Sequence, residues 1–83
     1  MKIQVRYFAS LRETIGHSGE TLDTVCKDVA SLRAQLLARG GVHAECLAKD
    51  RPVRVAVDQV MATEATLLTE GCEVAFFPPV TGG

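Results

Sequence analysis

No Cys-x-x-Cys pair occurs in this chain, and its three cysteines, Cys26, Cys46 and Cys72, stand far apart. With no His/Cys cluster beside them, that spacing argues against a zinc site and a disulfide framework. Charge of one sign is lacking too. Nine basic and ten acidic residues leave a formal net charge of −1. Such a balance provides no field to recruit nucleic acid or an anionic membrane surface. No apolar run approaches the length of a membrane span. The opening Met1-Lys-Ile-Gln-Val-Arg-Tyr alternates as a strand does, unlike a signal peptide. The expected compartment is the cytoplasm. A phosphate-cradling loop is missing, because Gly40-Gly41 lacks a following Lys-Ser/Thr. The two histidines, His17 and His43, are read as isolated, solvated surface residues, so no catalytic triad is expected. No bound cofactor is expected either.

What is present is enough apolar material for a core. Eighty-three residues with 47% hydrophobic content make one small folded domain, of a size at which stability is marginal. The end of the chain is the most informative part. Glu73-Val-Ala-Phe-Phe reads as a strand and runs straight into Pro78-Pro79-Val80-Thr81-Gly82-Gly83. The prolines favour an extended path, and the glycines carry no side chain. Nothing after Phe77 looks built to pack. The expected division is a domain over residues 1–77 and an extended tail over 78–83. Six tail residues at ~3.3 Å each span roughly 20 Å.

Periodicity supplies the elements. Ile3, Val5 and Tyr7 alternate with Lys2, Gln4 and Arg6, a half-buried strand. Ser10-Leu-Arg-Glu13 fits a capping box, predicting a short helix through Ile15 that stops at Gly16. Residues 20–25 form the second predicted strand, with Leu22 inward. Asp28 is the expected N-cap of the longest helix. Val29, Leu32, Leu36 and Leu37 share its apolar face, while Arg33, Gln35 and Arg39 fall away from it. Gly40-Gly41 is the expected helix stop. Residues 44–49 are read as another helical turn. Val53, Val55 and Val57 alternate as a third strand, residues 59–71 are mostly loop, and 72–77 form the last strand. The fold class expected is α+β, a small mixed sheet packed on one main helix. The cysteines are read as small apolar residues at element ends, with a persulfide role as the alternative.

Strand parity predicts a second feature. Phe8 points away from the face shared by Ile3, Val5 and Tyr7, and adjacent Phe76 and Phe77 point to opposite faces. A sheet covered by helix on one side has one dry face. At least one of Phe8 and Phe77 is therefore expected on the open face, where Met61 can join them. An apolar patch beside the root of the tail is a partner-docking surface, or else loop 59–71 folds over it.

The chemistry available to the tail is that of the terminal carboxylate. With a pKa of ~3.5 it is ionised at neutral pH and a poor electrophile. It must be activated, as an acyl-adenylate, by an enzyme that grips two residues lacking Cβ. Attack by a lysine then gives an isopeptide; attack by a sulfur nucleophile gives a thiocarboxylate.

Three stretches carry a resemblance to a known family: Val5-Arg-Tyr-Phe-Ala-Ser-Leu-Arg-Glu-Thr-Ile-Gly16, Val55-Ala-Val-Asp-Gln59, and Glu73-Val-Ala-Phe-Phe-Pro-Pro-Val-Thr-Gly-Gly83. The chain resembles the small, sulfur-carrier subunits of molybdopterin synthase, which are ubiquitin-like β-grasp proteins. The resemblance implies that Gly83 is adenylated by a separate ATP-dependent activating enzyme and converted to a thiocarboxylate with sulfur from a donor. The tail residues Pro78, Pro79, Val80, Thr81 and Gly82 would carry it into the large synthase subunit, within a heterotetramer. There, sulfur transfer would convert cyclic pyranopterin monophosphate to molybdopterin. It further implies that Phe8, Met61 and Phe77 form the docking surface, with Arg12 near it. The competing readings are a sulfur carrier of thiamine biosynthesis, a protein-conjugating ubiquitin-like modifier, and a non-catalytic interaction domain.

Overall fold

A computed structural model describes residues 1–48 and 50–79. Eight elements follow in order: β1 (Lys2–Tyr7), α1 (Ala9–Ile15), β2 (Gly19–Asp23), α2 (Val29–Leu37), α3 (Gly41–Leu47), β3 (Arg54–Val57), β4 (Val60–Met61) and β5 (Glu73–Phe77). The strands form one sheet in the order β2-β1-β5-β3-β4. Central β1 and β5 are parallel, and the other neighbours are antiparallel. This mixed sheet, with helices gathered on one face, is the β-grasp arrangement.

The period of two in β1 is realised. Ile3, Val5 and Tyr7 are buried and the residues between them exposed. They join Leu11 and Ile15 of α1, Leu32 and Leu36 of α2, Leu47 of α3, and Val74 and Phe76 of β5 in one core. All three helices thus contribute to the layer that was expected to hold one main helix. Among the described residues, no helix is long and apolar enough to cross a membrane.

Local signals succeed where neighbours in sequence decide the conformation. Asp28 caps α2, its Oδ1 accepting from the Ser31 amide at 2.8 Å. Gly16 ends α1 at φ 97°, its amide donating to the Arg12 carbonyl at 2.9 Å. The capping box expected at Ser10 is absent. Phe8 is the N-cap, and its carbonyl accepts from the Leu11 and Arg12 amides. Ala9 makes the bend at φ 52°, a left-handed conformation that costs a residue with a Cβ about 1 kcal/mol. Ser10 therefore lies two residues past the cap position, inside the first turn.

β2 stops at Asp23, short of the predicted Val25: its ladder with β1 ends at the Lys2–Asp23 pair, beyond which the Thr24 amide makes one further bond, to the Met1 carbonyl at 2.8 Å. Gly40-Gly41 does more than stop a helix. Gly40 is also the N-cap of α3, which begins earlier and runs longer than the predicted turn. The expected loop after β3 contains β4, reached by a two-residue turn through Asp58 (φ 50°) and Gln59 (φ 68°). Positive φ at both turn residues matches the twist of a hairpin. The Asp58 amide donates to the Glu73 carbonyl at 2.8 Å, and the Glu73 amide donates to Asp58 Oδ1 at 2.9 Å, tying the turn to β5.

Arg33 corrects the amphipathic reading of α2. It is buried, at 8% exposure. Its Nε donates to the Leu47 carbonyl and one Nη to the Ala48 carbonyl, each at 2.7 Å. Another Nη meets Glu64 at 3.3 Å. The guanidinium satisfies carbonyls freed at the end of α3 and clasps α2 to the segment leading into β3. Gln35 is likewise drawn in, accepting from Thr24 Oγ1 at 2.5 Å. Arg33→Ala will leave those carbonyls without a donor. Hydrogen bonds to a charged group contribute about 1.5–3 kcal/mol, so urea denaturation should show a loss of about 2–3 kcal/mol. A loss below about 0.5 kcal/mol would show that water replaces the guanidinium without cost.

Candidate functional site

Two features meet at the end of β5: the sheet face without helices and the start of the C-terminal segment. Their geometry follows from register. Phe76 sits opposite Tyr7 on one side and Val55 on the other, so it shares their core face and is 1% exposed. Phe77, one residue on, must face the other way, opposite Arg54. A continuous row on this outer face runs Arg6, Ala75, Ala56, Met61 across four strands. Ala75 and Ala56 are small and nearly covered, so the centre of the face is shallow. Around it Met61 is 60% exposed, Phe8 is 41% exposed, and Phe77 is half-buried. The Arg6 guanidinium lies 5.8 Å from the Phe8 ring centroid and 3.6 Å from Glu73. The face is therefore an apolar centre with charges at its edge, the composition of a protein-binding surface.

Phe8, Met61 and Phe77 are brought to this face together. Loop 59–71 places only one inward leucine, Leu68, whereas Leu67 is exposed. Arg12 is exposed in the last turn of α1. Val60, beside Met61 at the sheet edge, is 68% exposed; a two-residue strand is too short to show alternation in the sequence.

Pro78 and Pro79 leave β5 half-buried, contrary to the expectation that nothing beyond Phe77 packs. They line a cleft of about 400 Å³ with Ser10, Leu11 and Thr14 of α1, Glu45 and Cys46 of α3, and the segment Arg51–Val53. The cleft has no sequence signature, because its walls come from three separated parts of the chain. Val80, Thr81, Gly82 and Gly83 lie outside the described residues. Among the described residues, no group of three or more His, Cys, Asp or Glu side chains could hold a metal ion.

On the helix-covered side, His43 is neither isolated nor on a loop. It belongs to α3, its side chain is 14% exposed, and its ring packs edge-on against Tyr7 at 6.1 Å. Nearby Glu20 accepts from Arg39 at 2.7 and 2.9 Å and from the Tyr7 hydroxyl at 3.0 Å. Those Arg39 bonds first, then the Tyr7 bond, hold the Glu20 carboxyl below its usual range of about 4.5 despite partial burial. Burial, reinforced by Glu20, raises the Tyr7 hydroxyl. Because the folded-state pKa of Glu20 is depressed, its contribution to stability is present above pH 4.5 and is lost as pH falls through the folded value. Glu20→Gln should therefore be less stable than the parent at neutral pH, with the gap narrowing in acid. Denaturation midpoints at the two pH values check this; a constant gap would remove Glu20 from the acid response.

Comparison with known proteins places these features in context. A model of the ThiS family matches residues 5–83. The molybdopterin synthase sulfur carrier subunit of Escherichia coli K12 is 38% identical over 81 residues, covering 98% of this chain and 99% of that protein. The crystal structure of SAMP1 from Haloferax volcanii superposes with a TM-score of 0.78 at 22% identity, covering 100% of both chains. A chain from the complex of subunits 1 and 2 of the molybdopterin-converting factor of Helicobacter pylori 26695 superposes at 0.70 and 23%, again covering 100% of both. At such identities the two structures show a shared fold.

Proposed function

The chain belongs to the ThiS family, and on that premise we propose that it is the sulfur carrier of a molybdopterin synthase. The observation that carries this reading is the 38% identity to the Escherichia coli sulfur carrier subunit along 98% of the chain. The functional group is the α-carboxylate of Gly83. An ATP-dependent activating enzyme forms the acyl-adenylate, and a sulfur donor displaces AMP to leave a thiocarboxylate. Residues 78–83 act as the delivery arm of a domain spanning 1–77. The large synthase subunit docks on the face bearing Phe8, Met61 and Phe77, receives the arm, and transfers sulfur to cyclic pyranopterin monophosphate. The side chains for that transfer come from the large subunit, and the working assembly is a heterotetramer. Arg12 contributes at the margin of the docking face.

Three physical features support the proposal. The outer sheet face is apolar at its centre and charged at its rim. Phe77 lies on that face at the root of the arm, so docking and delivery are mechanically joined. The absence of Cβ atoms at positions 82 and 83 suits a channel too narrow for side chains.

Intact-mass analysis after incubation with an activating enzyme, ATP and a sulfide source tests the reading. The expected product carries one oxygen-to-sulfur exchange at Gly83 and supports molybdopterin formation when the large subunit and precursor are added. Isopeptide adducts on other proteins, with no such exchange, would replace the carrier reading by that of a conjugated modifier.

A further inference from the structure

Away from the arm and the open face, five polar or titratable side chains converge from across the fold. They are Tyr7 of β1, His17 in the turn before β2, Glu20 of β2, Arg39 just past α2, and His43 of α3. Glu20 is the only acid among them, held by both Arg39 nitrogens and by the Tyr7 hydroxyl. Tyr7 meets His17 edge-on at 5.6 Å and His43 at 6.1 Å. His43 Nε2 is 3.3 Å from Arg39 Nη1 and 4.0 Å from Glu20 Oε2.

The Arg39–His43 contact specifies a protonation state. Arginine can only donate, so His43 must accept at Nε2 and be neutral, with its proton on Nδ1. A second proton would land on Nε2, facing the arginine. The hydrogen bond would be lost, and two cations would compete for one carboxylate already engaged three times.

His43 also occupies a sensitive place in α3. The C-terminal end of that helix is secured by buried Leu47 and by the Arg33 clasp. At the N-terminal end Gly40 supplies no side-chain cap, and His43 provides the polar anchor.

We propose that His43 is a proton-operated latch, which seats the N-terminal half of α3 against β1 and β2 when neutral and releases it when protonated. Burial first, and then Arg39, lower the His43 pKa from 6.5. A lowered folded-state value means the latch is closed above pH 6.5 and opens as pH falls through that lower value. Glu45 and Cys46, which follow in the same helix, line the cleft beside Pro78 and Pro79.

The test is residue-resolved amide hydrogen exchange on the full chain, corrected for intrinsic rates, from about pH 8 to about pH 5. The His43 ring resonance is followed by NMR in the same samples. Protection at residues 44–46, whose amides bond to carbonyls in the first turn of α3, is expected to fall several-fold with the midpoint of the His43 titration, while β1 keeps its protection. His43→Gln retains an acceptor for Arg39 and cannot ionise, so its α3 protection should be independent of pH over this range. A flat profile in the parent, a midpoint that follows His17, or the same fall in His43→Gln would overturn the latch. Should the variant not fold, coincidence or divergence of the two midpoints in the parent decides.

Discussion

Removing Gly83 will abolish sulfur loading and leave folding stability within about 0.5 kcal/mol of the parent. The two halves of this expectation rest on separate grounds. Folding is unaffected because β5 ends at Phe77 and the core cluster among the described residues contains nothing beyond Phe76. Loading is lost because the truncated chain presents its carboxylate one residue short. An extended residue spans roughly 3.3 Å, whereas reactive geometry tolerates errors of about 1 Å. Adding one residue after Gly83 should be as damaging, although the docking face and the fold remain. That chain should still bind the large subunit and compete with the parent. Mass spectrometry of the incubated proteins, a thermal melt and a molybdopterin-forming assay make the measurement. Undiminished product, with the extra residue still attached, would end the claim that the Gly83 carboxylate is the reacting group.

Phe76→Ala and Phe77→Ala should differ sharply although the residues are adjacent. Phe76 is 1% exposed, opposite Tyr7 and Val55 in the middle of the sheet. Truncating a buried phenylalanine leaves a cavity and costs about 3–5 kcal/mol. Such a loss is a large part of the stability available to a domain of this size. Phe77 faces outward opposite Arg54 and is half-buried in the free chain, so its truncation should cost the isolated domain little. At the interface it should act as an anchor, and binding to the large subunit should weaken by about 2 kcal/mol. Paired denaturation and binding titrations on both variants give four numbers. Equal effects on folding, or unchanged binding by Phe77→Ala, would dissociate the outer face from docking.

Much of this is legible in the sequence itself. The alternation at Ile3, Val5 and Tyr7 specified which side of β1 is buried, and the same parity separated Phe76 from Phe77. The spacing of Val29, Leu32 and Leu36, with Asp28 before them, specified a capped helix. The three motif stretches pointed to the family. These are short-range properties: a rotamer clash, a missing Cβ or a repeat of two or 3.6 residues acts between neighbours whatever the rest of the chain does.

Tertiary structure decided the remainder. Arg33 had the spacing of a surface residue, yet it is buried because carbonyls at Leu47 and Ala48, far along the chain, need a donor. His43 had the surroundings of a solvated histidine, yet α3 carries it to Tyr7, Glu20 and Arg39. Ser10 had the motif of a cap, but the bend at Ala9 starts the helix ahead of it, leaving Ser10 inside the first turn. The prolines after β5 came to rest in a cleft made by α1, α3 and residues 51–53. In each case a group's environment is set by partners whose separation in space is unrelated to their separation in sequence, and only the closed packing of sheet and helices fixes that separation.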